Sequence, residues 1–183
     1  MAQSTHSESN NRLTVAEICI FGLLGGLMFA SKKLMEFMPN VHLLGTFIVS
    51  MTVVFRKKAL FPLYTYVLIN GFFEGFATWW LPYLYIWTVL WGATMLLPKK
   101  MPMWLQPIVY AVVSSLHGFL FGTLYAPAQA LLFGLSFKAM LAWIAAGFPW
   151  DCIHGIGNLV LGLLIVPLIK LLRMCIKYLP KNR

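Results

Sequence analysis

The chain has 183 residues, 60% of them hydrophobic and only 10% charged, with a formal net charge of +9 and a mean hydropathy of +0.79. A water-soluble domain of this size cannot cover so much apolar surface with hydrated side chains, which excludes a soluble enzyme and points to an integral membrane protein. The positive charges fall between apolar runs (Arg56-Lys57-Lys58, Lys99-Lys100) and along the C-terminal end. That is how topology determinants are distributed, so no nucleic-acid partner is expected.

Residues 1–13 are polar and read as a disordered cytoplasmic N-terminus without the features of a signal peptide. About 20 apolar residues in a helix cross the hydrocarbon core, and six such runs are predicted within a domain covering 14–175. The first, at about 15–34, opens on Thr14 with Glu17 at the capping-box position. A short loop, Met35 to Asn40, follows, containing Pro39. Further spans are predicted at 41–55, 59–78, 83–97, 104–125 and 150–172, with a basic cytoplasmic tail at 176–183. The stretch 126–149 is apolar but punctuated by Pro127, Gly134, Lys138, Gly147 and Pro149. It is read as a long outer connection, part helical, lying against the bundle.

Charge decides that count. With six spans and both termini in the cytoplasm, eleven of the Lys and Arg residues lie inside. Only Lys32, Lys33 and Lys138 lie outside. A seventh span would put the basic C-terminus outside, against the positive-inside rule.

Several residues carry possible chemistry. Gly22, Gly26 and Ala30 lie four apart on one face of the first span, where another backbone can approach closely. They pack either within the bundle or against another subunit. Ionisable groups at membrane depth are costly and tend to face a partner or a cavity. Glu74 and Asp151 are the two candidates, while Glu36, flanked by Lys32 and Lys33, reads as a solvated interfacial charge. Asp151, His154 and Asn158 share one helical face and form the most concentrated polar stripe in any span. The aromatic run Trp79-Trp80-Leu81-Pro82-Tyr83-Leu84-Tyr85 reads as an interfacial belt or as a surface for stacking a flat ligand.

Cys19, Cys152 and Cys175 are single, with no CxxC spacing, and His42 and His117 have no spacing that completes a metal site. No nucleophile elbow, HExxH or P-loop is present. Neither a catalytic residue, a metal nor a cofactor is expected, and the chain cannot hydrolyse ATP by itself.

Three segments carry a family resemblance: FASKKLMEFMPNVHLL at 29–44, EGFATWWLPYLYIWTVLW at 74–91 and GFPWDCIHGIGNLVLG at 147–162. They resemble bacterial substrate-binding S-components of energy-coupling factor (ECF) vitamin transporters, over nearly the whole chain after residue 14. The resemblance implies an all-α bundle of six transmembrane helices in the cytoplasmic membrane, with a vitamin-sized pocket near the outer face closed by the loop after the first helix. It implies docking of the small-residue face onto a T-component. The family pattern there is AxxxA; the equivalent positions here are Gly22, Gly26 and Ala30. Two ABC-type ATPases bound to the T-component supply energy, and the S-component topples in the bilayer to deliver its ligand. The nearest likeness is to the cobalamin type. Another heterocyclic vitamin or a queuosine precursor is the alternative ligand.

Outer-side position and polarity give the expected pocket residues: Asn40, His42, Glu74, Trp79, Trp80, Tyr83, Tyr85, Gln129, Asp151, His154 and Asn158. A rival reading is a small intramembrane enzyme using Asp151 and His154 as an acid–base pair. A third is a structural membrane subunit without a small-molecule ligand.

Overall fold

The structure, a computed structural model, describes residues 13–177. The termini expected at 1–13 and 176–183 lie almost wholly outside the described residues. Among those described, the regular structure is all helix: α1 (Val15–Leu34), α2 (Leu44–Phe55), α3 (Leu60–Glu74), α4 (Tyr83–Leu96), α5 (Gln106–Phe119), α6 (Phe121–Phe133), α7 (Phe137–Leu161) and α8 (Ile165–Lys177). Short 3-10 turns at Arg56–Ala59, Thr78–Trp80 and Gly162–Leu164 link or extend them.

Helix α1 begins with the expected capping box. Thr14 Oγ1 accepts from the Glu17 N–H at 3.1 Å, and Glu17 Oε2 accepts from the Thr14 N–H at 3.0 Å. Two orphan donors of the first turn are thereby satisfied. Glu17 also pairs with Lys58 at 2.6 Å, pinning α1 to the start of α3.

Helix α2 is the axis of the bundle: all nine residues from Leu44 to Thr52 are buried. Its hydroxyls each find a carbonyl, as burial in an apolar medium demands. Thr46 donates to Leu161 at 2.9 Å, Ser50 to Ile165 at 3.2 Å and Thr52 to Ile48 at 2.6 Å. The first two tie α2 to the α7–α8 rod. Around it pack Phe21 and Met28 of α1, Leu63 and Tyr66 of α3, Trp87 and Leu90 of α4, and Ile165 and Ile169 of α8.

Close backbone approach sets two further contacts. A Cβ on Gly25 would stand 2.6 Å from Thr65 of α3, and one on Gly118 would stand 2.9 Å from the Gly155 backbone of α7. Only glycine permits α5 and α7 to lie that near.

Three helical stretches are long and apolar enough to cross a membrane: Val15–Leu34, Gln106–Phe133 and Phe137–Lys177. The protein is therefore described as an all-helical membrane protein. Helices α2, α3 and α4, of 12, 15 and 14 residues, are shorter. At a rise of about 1.5 Å per residue they reach roughly 18–22 Å.

The segment 126–149 is more helical than the part-helical outer connection expected. It forms a helical hairpin, with α6 ending at Gly134 in the left-handed conformation (φ 64°) and α7 starting at Ser136, whose Oγ accepts from the Ala139 N–H. Pro127 and Pro149 lie inside helices. Such prolines are tolerated in membrane helices, where neighbours re-satisfy the freed carbonyls. The predicted fifth span, 104–125, falls within the helical stretch Gln106–Phe133, which carries a one-residue turn at Leu120.

The two ends of the bundle differ. Arg56, Lys57, Lys58, Lys99 and Lys100 collect at the α2–α3 and α4–α5 junctions, and α8 ends beside them. Loop 35–43, the α3–α4 turn and the α5–α6 junction form the opposite end.

Candidate ligand-binding site

At this second end, beneath loop 35–43, lies a cavity of about 190 Å³. The loop roofs it with Met35, Met38, Pro39, Asn40, Val41 and His42, and its walls include Lys32 of α1, Tyr83 of α4, Phe121 of α6 and His154 of α7. Four stretches distant in sequence thus converge on one space.

Local backbone geometry holds the roof in place. Asn40 has φ 59°, in the left-handed region where asparagine is among the few tolerated side chains. Its Nδ2 donates to the Trp150 carbonyl at 3.3 Å, tethering the loop to α7. Asn40→Gly keeps the backbone conformation but drops this tether.

Charge at this end balances. Lys32 Nζ donates to both Glu74 oxygens at 2.8 and 2.9 Å and to Asn70 Oδ1 at 3.1 Å. Lys33 bridges Glu74 at 2.9 Å and Glu36 at 3.1 Å. Two ammonium groups meet two carboxylates, so the mouth has no net charge. Removing Glu74 leaves the half-buried Lys32 without a carboxylate, whereas the exposed Lys33 keeps Glu36. Glu74→Gln should lower stability by about 1–2 kcal/mol, read from the thermal midpoint in detergent. Glu36 is exposed, as expected of a solvated interfacial charge, and pairs with Lys33.

The floor is a ring cluster. His42 and His154 stand 4.8 Å apart between centroids, edge to face, and Phe121 lies 5.0 Å from His154. Trp87 sits behind, 5.9 Å from His42, 5.7 Å from Tyr83 and 5.6 Å from His117. His42 Nδ1, His154 Nε2, Trp87 Nε1, Tyr66 Oη and His117 Nδ1 are all buried without a protein hydrogen-bond partner. Of these five residues only His42 and His154 line the cavity, and buried polar atoms of this kind are ordinarily paired.

Of the residues expected in the pocket, Asn40, His42, Tyr83 and His154 line this cavity together. Glu74 stands one contact away, through Lys32. The others serve the fold. Both Asp151 oxygens accept from the Gly122 N–H at 3.0 Å, so this carboxylate caps the first turn of α6 rather than facing the cavity. Asn158 donates to the Ser114 carbonyl at 3.1 Å, holding α7 to α5. Trp80 donates to the Val67 carbonyl at 2.8 Å and Tyr85 to the Leu124 carbonyl at 2.6 Å. Trp79 packs edge to face on Tyr83 at 5.6 Å and accepts from Tyr125 through its carbonyl. Gln129 lies on α6, outside the cavity lining. Asp151→Ala should cost about 0.5–2 kcal/mol of stability through the lost cap, read from the thermal midpoint in detergent. Sequence reasoning missed Lys32 and Phe121 as lining residues. The signal for Lys32 was available: an acid at membrane depth needs a base, and Glu74 takes Lys32.

Among the described residues, no group of three or more His, Cys, Asp or Glu side chains is arranged to hold a metal ion. The small-residue stripe of α1 faces outward, and its neighbour Gly25 does not. Gly25 faces inward against Thr65, whereas a Cβ on Gly22 or Gly26 would meet nothing within 4 Å, and Ala30 is exposed.

No protein-family model matches the chain, and no curated protein or solved structure matches it significantly.

Proposed function

We propose that this protein is the substrate-binding S-component of an ECF-type vitamin uptake transporter. In this reading it captures a small molecule under loop 35–43 on the outer side and delivers it by toppling in complex with a T-component and two ABC-type ATPases. The observation that carries the reading is the roofed cavity whose lining rings His42 and His154 each keep a buried nitrogen without a protein partner. Neutral, hydrogen-bonding and aromatic walls with balanced charge at the mouth suit an uncharged heterocycle.

The bare face of α1 supports the second half of the proposal. Gly22, Gly26 and Ala30 offer a flat strip, and a Cβ on either glycine would meet nothing within 4 Å among the described residues. In the proposed topology all six spans cross, α2, α3 and α4 being the short ones, with both termini and the Arg56–Lys58 end in the cytoplasm. Cobalamin is the first ligand to try. A corrinoid is far larger than a cavity of about 190 Å³, so its entry requires loop 35–43 to swing away from Trp150. Another heterocyclic vitamin or a queuosine precursor needs less movement. The rival acid–base enzyme draws no support from the geometry, since Asp151 is engaged by Gly122 while His154 faces the cavity.

Co-expression with the T-component and ATPases of the same cell tests the assembly. Gly26→Leu should abolish co-purification while the isolated protein keeps its thermal midpoint. Undiminished assembly would remove α1 as the docking face.

A further inference from the structure

The opposite, cationic end holds a second and larger cavity, of about 270 Å³. Arg56 from the α2–α3 junction, Lys99 from the end of α4 and Arg173 from α8 all line it, together with Gln106 and Tyr110 of α5. No carboxylate lines it. The described acids are engaged elsewhere: Glu17 with Lys58, Glu36 and Glu74 with Lys32 and Lys33, and Asp151 with Gly122. None of the three cations has an ion-pair partner among the described residues.

Topology alone accounts for positive charge at this end, but not for its convergence on one concavity. Residues that only mark the cytoplasmic side can spread into solvent, where mutual repulsion is least. Here three segments bring them to one space beside a phenol and an amide.

Arg56 is also held in a costly backbone conformation. Its φ of 54° and ψ of −121° match the first central position of a type II′ turn, which is glycine's place. The strain is maintained from both sides: the guanidinium donates to the Met95 carbonyl at 2.9 Å, and the Arg56 carbonyl accepts from Trp91 Nε1 at 3.1 Å. Such outliers persist where the surroundings over-determine them, and they cluster at ligand sites.

We propose that this cavity binds a phosphate-bearing anion. A guanidinium fork matches phosphate oxygens, an ammonium adds a point charge, and Tyr110 and Gln106 can complete the set of donors. Val53 and Leu97 give the same cavity an apolar wall, which suits the glycerol end of an anionic phospholipid. A free phosphate supplies the same headgroup chemistry. This site is independent of the vitamin-transport reading.

The full-length protein in neutral detergent, titrated with short-chain phosphatidylglycerol, with phosphatidylcholine and with inorganic phosphate, tests it through the thermal midpoint. The wild type should show a saturable rise with phosphatidylglycerol and none with phosphatidylcholine. A rise with inorganic phosphate as well would assign the site to phosphate itself, and its absence to the lipid. K99Q/R173Q should weaken the response about tenfold or more, since each surface cation contributes about 1 kcal/mol toward anionic lipid. K170Q/K177Q removes the same charge from residues that do not line the cavity and should retain most of the response. Should the first double variant fail to fold, R173Q alone carries the comparison. No response to either anion, an equal response to phosphatidylcholine, or equal loss in both double variants would overturn the proposal.

Discussion

Gly118→Ala is expected to destabilise the protein by about 3 kcal/mol or more, while Gly22→Ala leaves it unchanged. The new Cβ at 118 would lie 2.9 Å from Gly155 Cα, Gly155 N and the His154 carbonyl carbon. All three are backbone atoms, so no rotamer change relieves the clash, and α5 and α7 must separate. Overpacking usually costs about 1–3 kcal/mol, and a backbone obstacle puts this case at or above the top of that range. Separation would also pull Ser115 from the Gly155 carbonyl, a buried bond of 2.8 Å. At Gly22 the same methyl meets nothing within 4 Å. Thermal midpoints of the two purified variants give the comparison directly. Equal midpoints would mean that α5 and α7 do not touch as described.

His154→Leu should separate binding from stability. The side chain is only 2% exposed, lines the cavity and carries an unpaired Nε2. Replacing an unsatisfied buried polar group by an apolar one of similar size is close to neutral for the fold, or stabilising. A ligand that hydrogen-bonds this nitrogen would lose about 1.5–3 kcal/mol, or roughly tenfold to a hundredfold in affinity. A thermal midpoint equal to or above that of the wild type, with weakened binding, is the expected pair of results. A variant that falls in stability instead would make His154 a structural residue.

Much of this was legible in the residues, because the constraints involved are local or compositional. The apolar runs announced the bilayer, and Thr14 and Glu17 announced the start of α1. Spacing correctly put Asp151, His154 and Asn158 on one buried face of α7. It could not say that this face meets three different neighbours, so that one residue caps α6, one reaches the cavity and one binds α5. A shared helical face is not a shared site. The α6–α7 hairpin was hidden for a different reason: Pro127, Gly134 and Pro149 punctuate a soluble chain, but in apolar surroundings only Gly134 ends a helix. The Lys32–Glu74 pair spans 42 positions, beyond the reach of any helical periodicity. Likewise Gly22, Gly25 and Gly26 look alike in sequence, and only packing against Thr65 tells the inward one from the outward two.

The central claim is that this chain binds a small molecule beneath loop 35–43. Calorimetric titration of the purified protein with a vitamin panel, cobalamin first, tests it most directly when repeated on the His42→Leu/His154→Leu variant. Saturable binding of one panel member by the wild type, and its loss in a variant that remains folded, is the predicted result. No binding across the panel, or binding that the variant retains in full, would contradict the account.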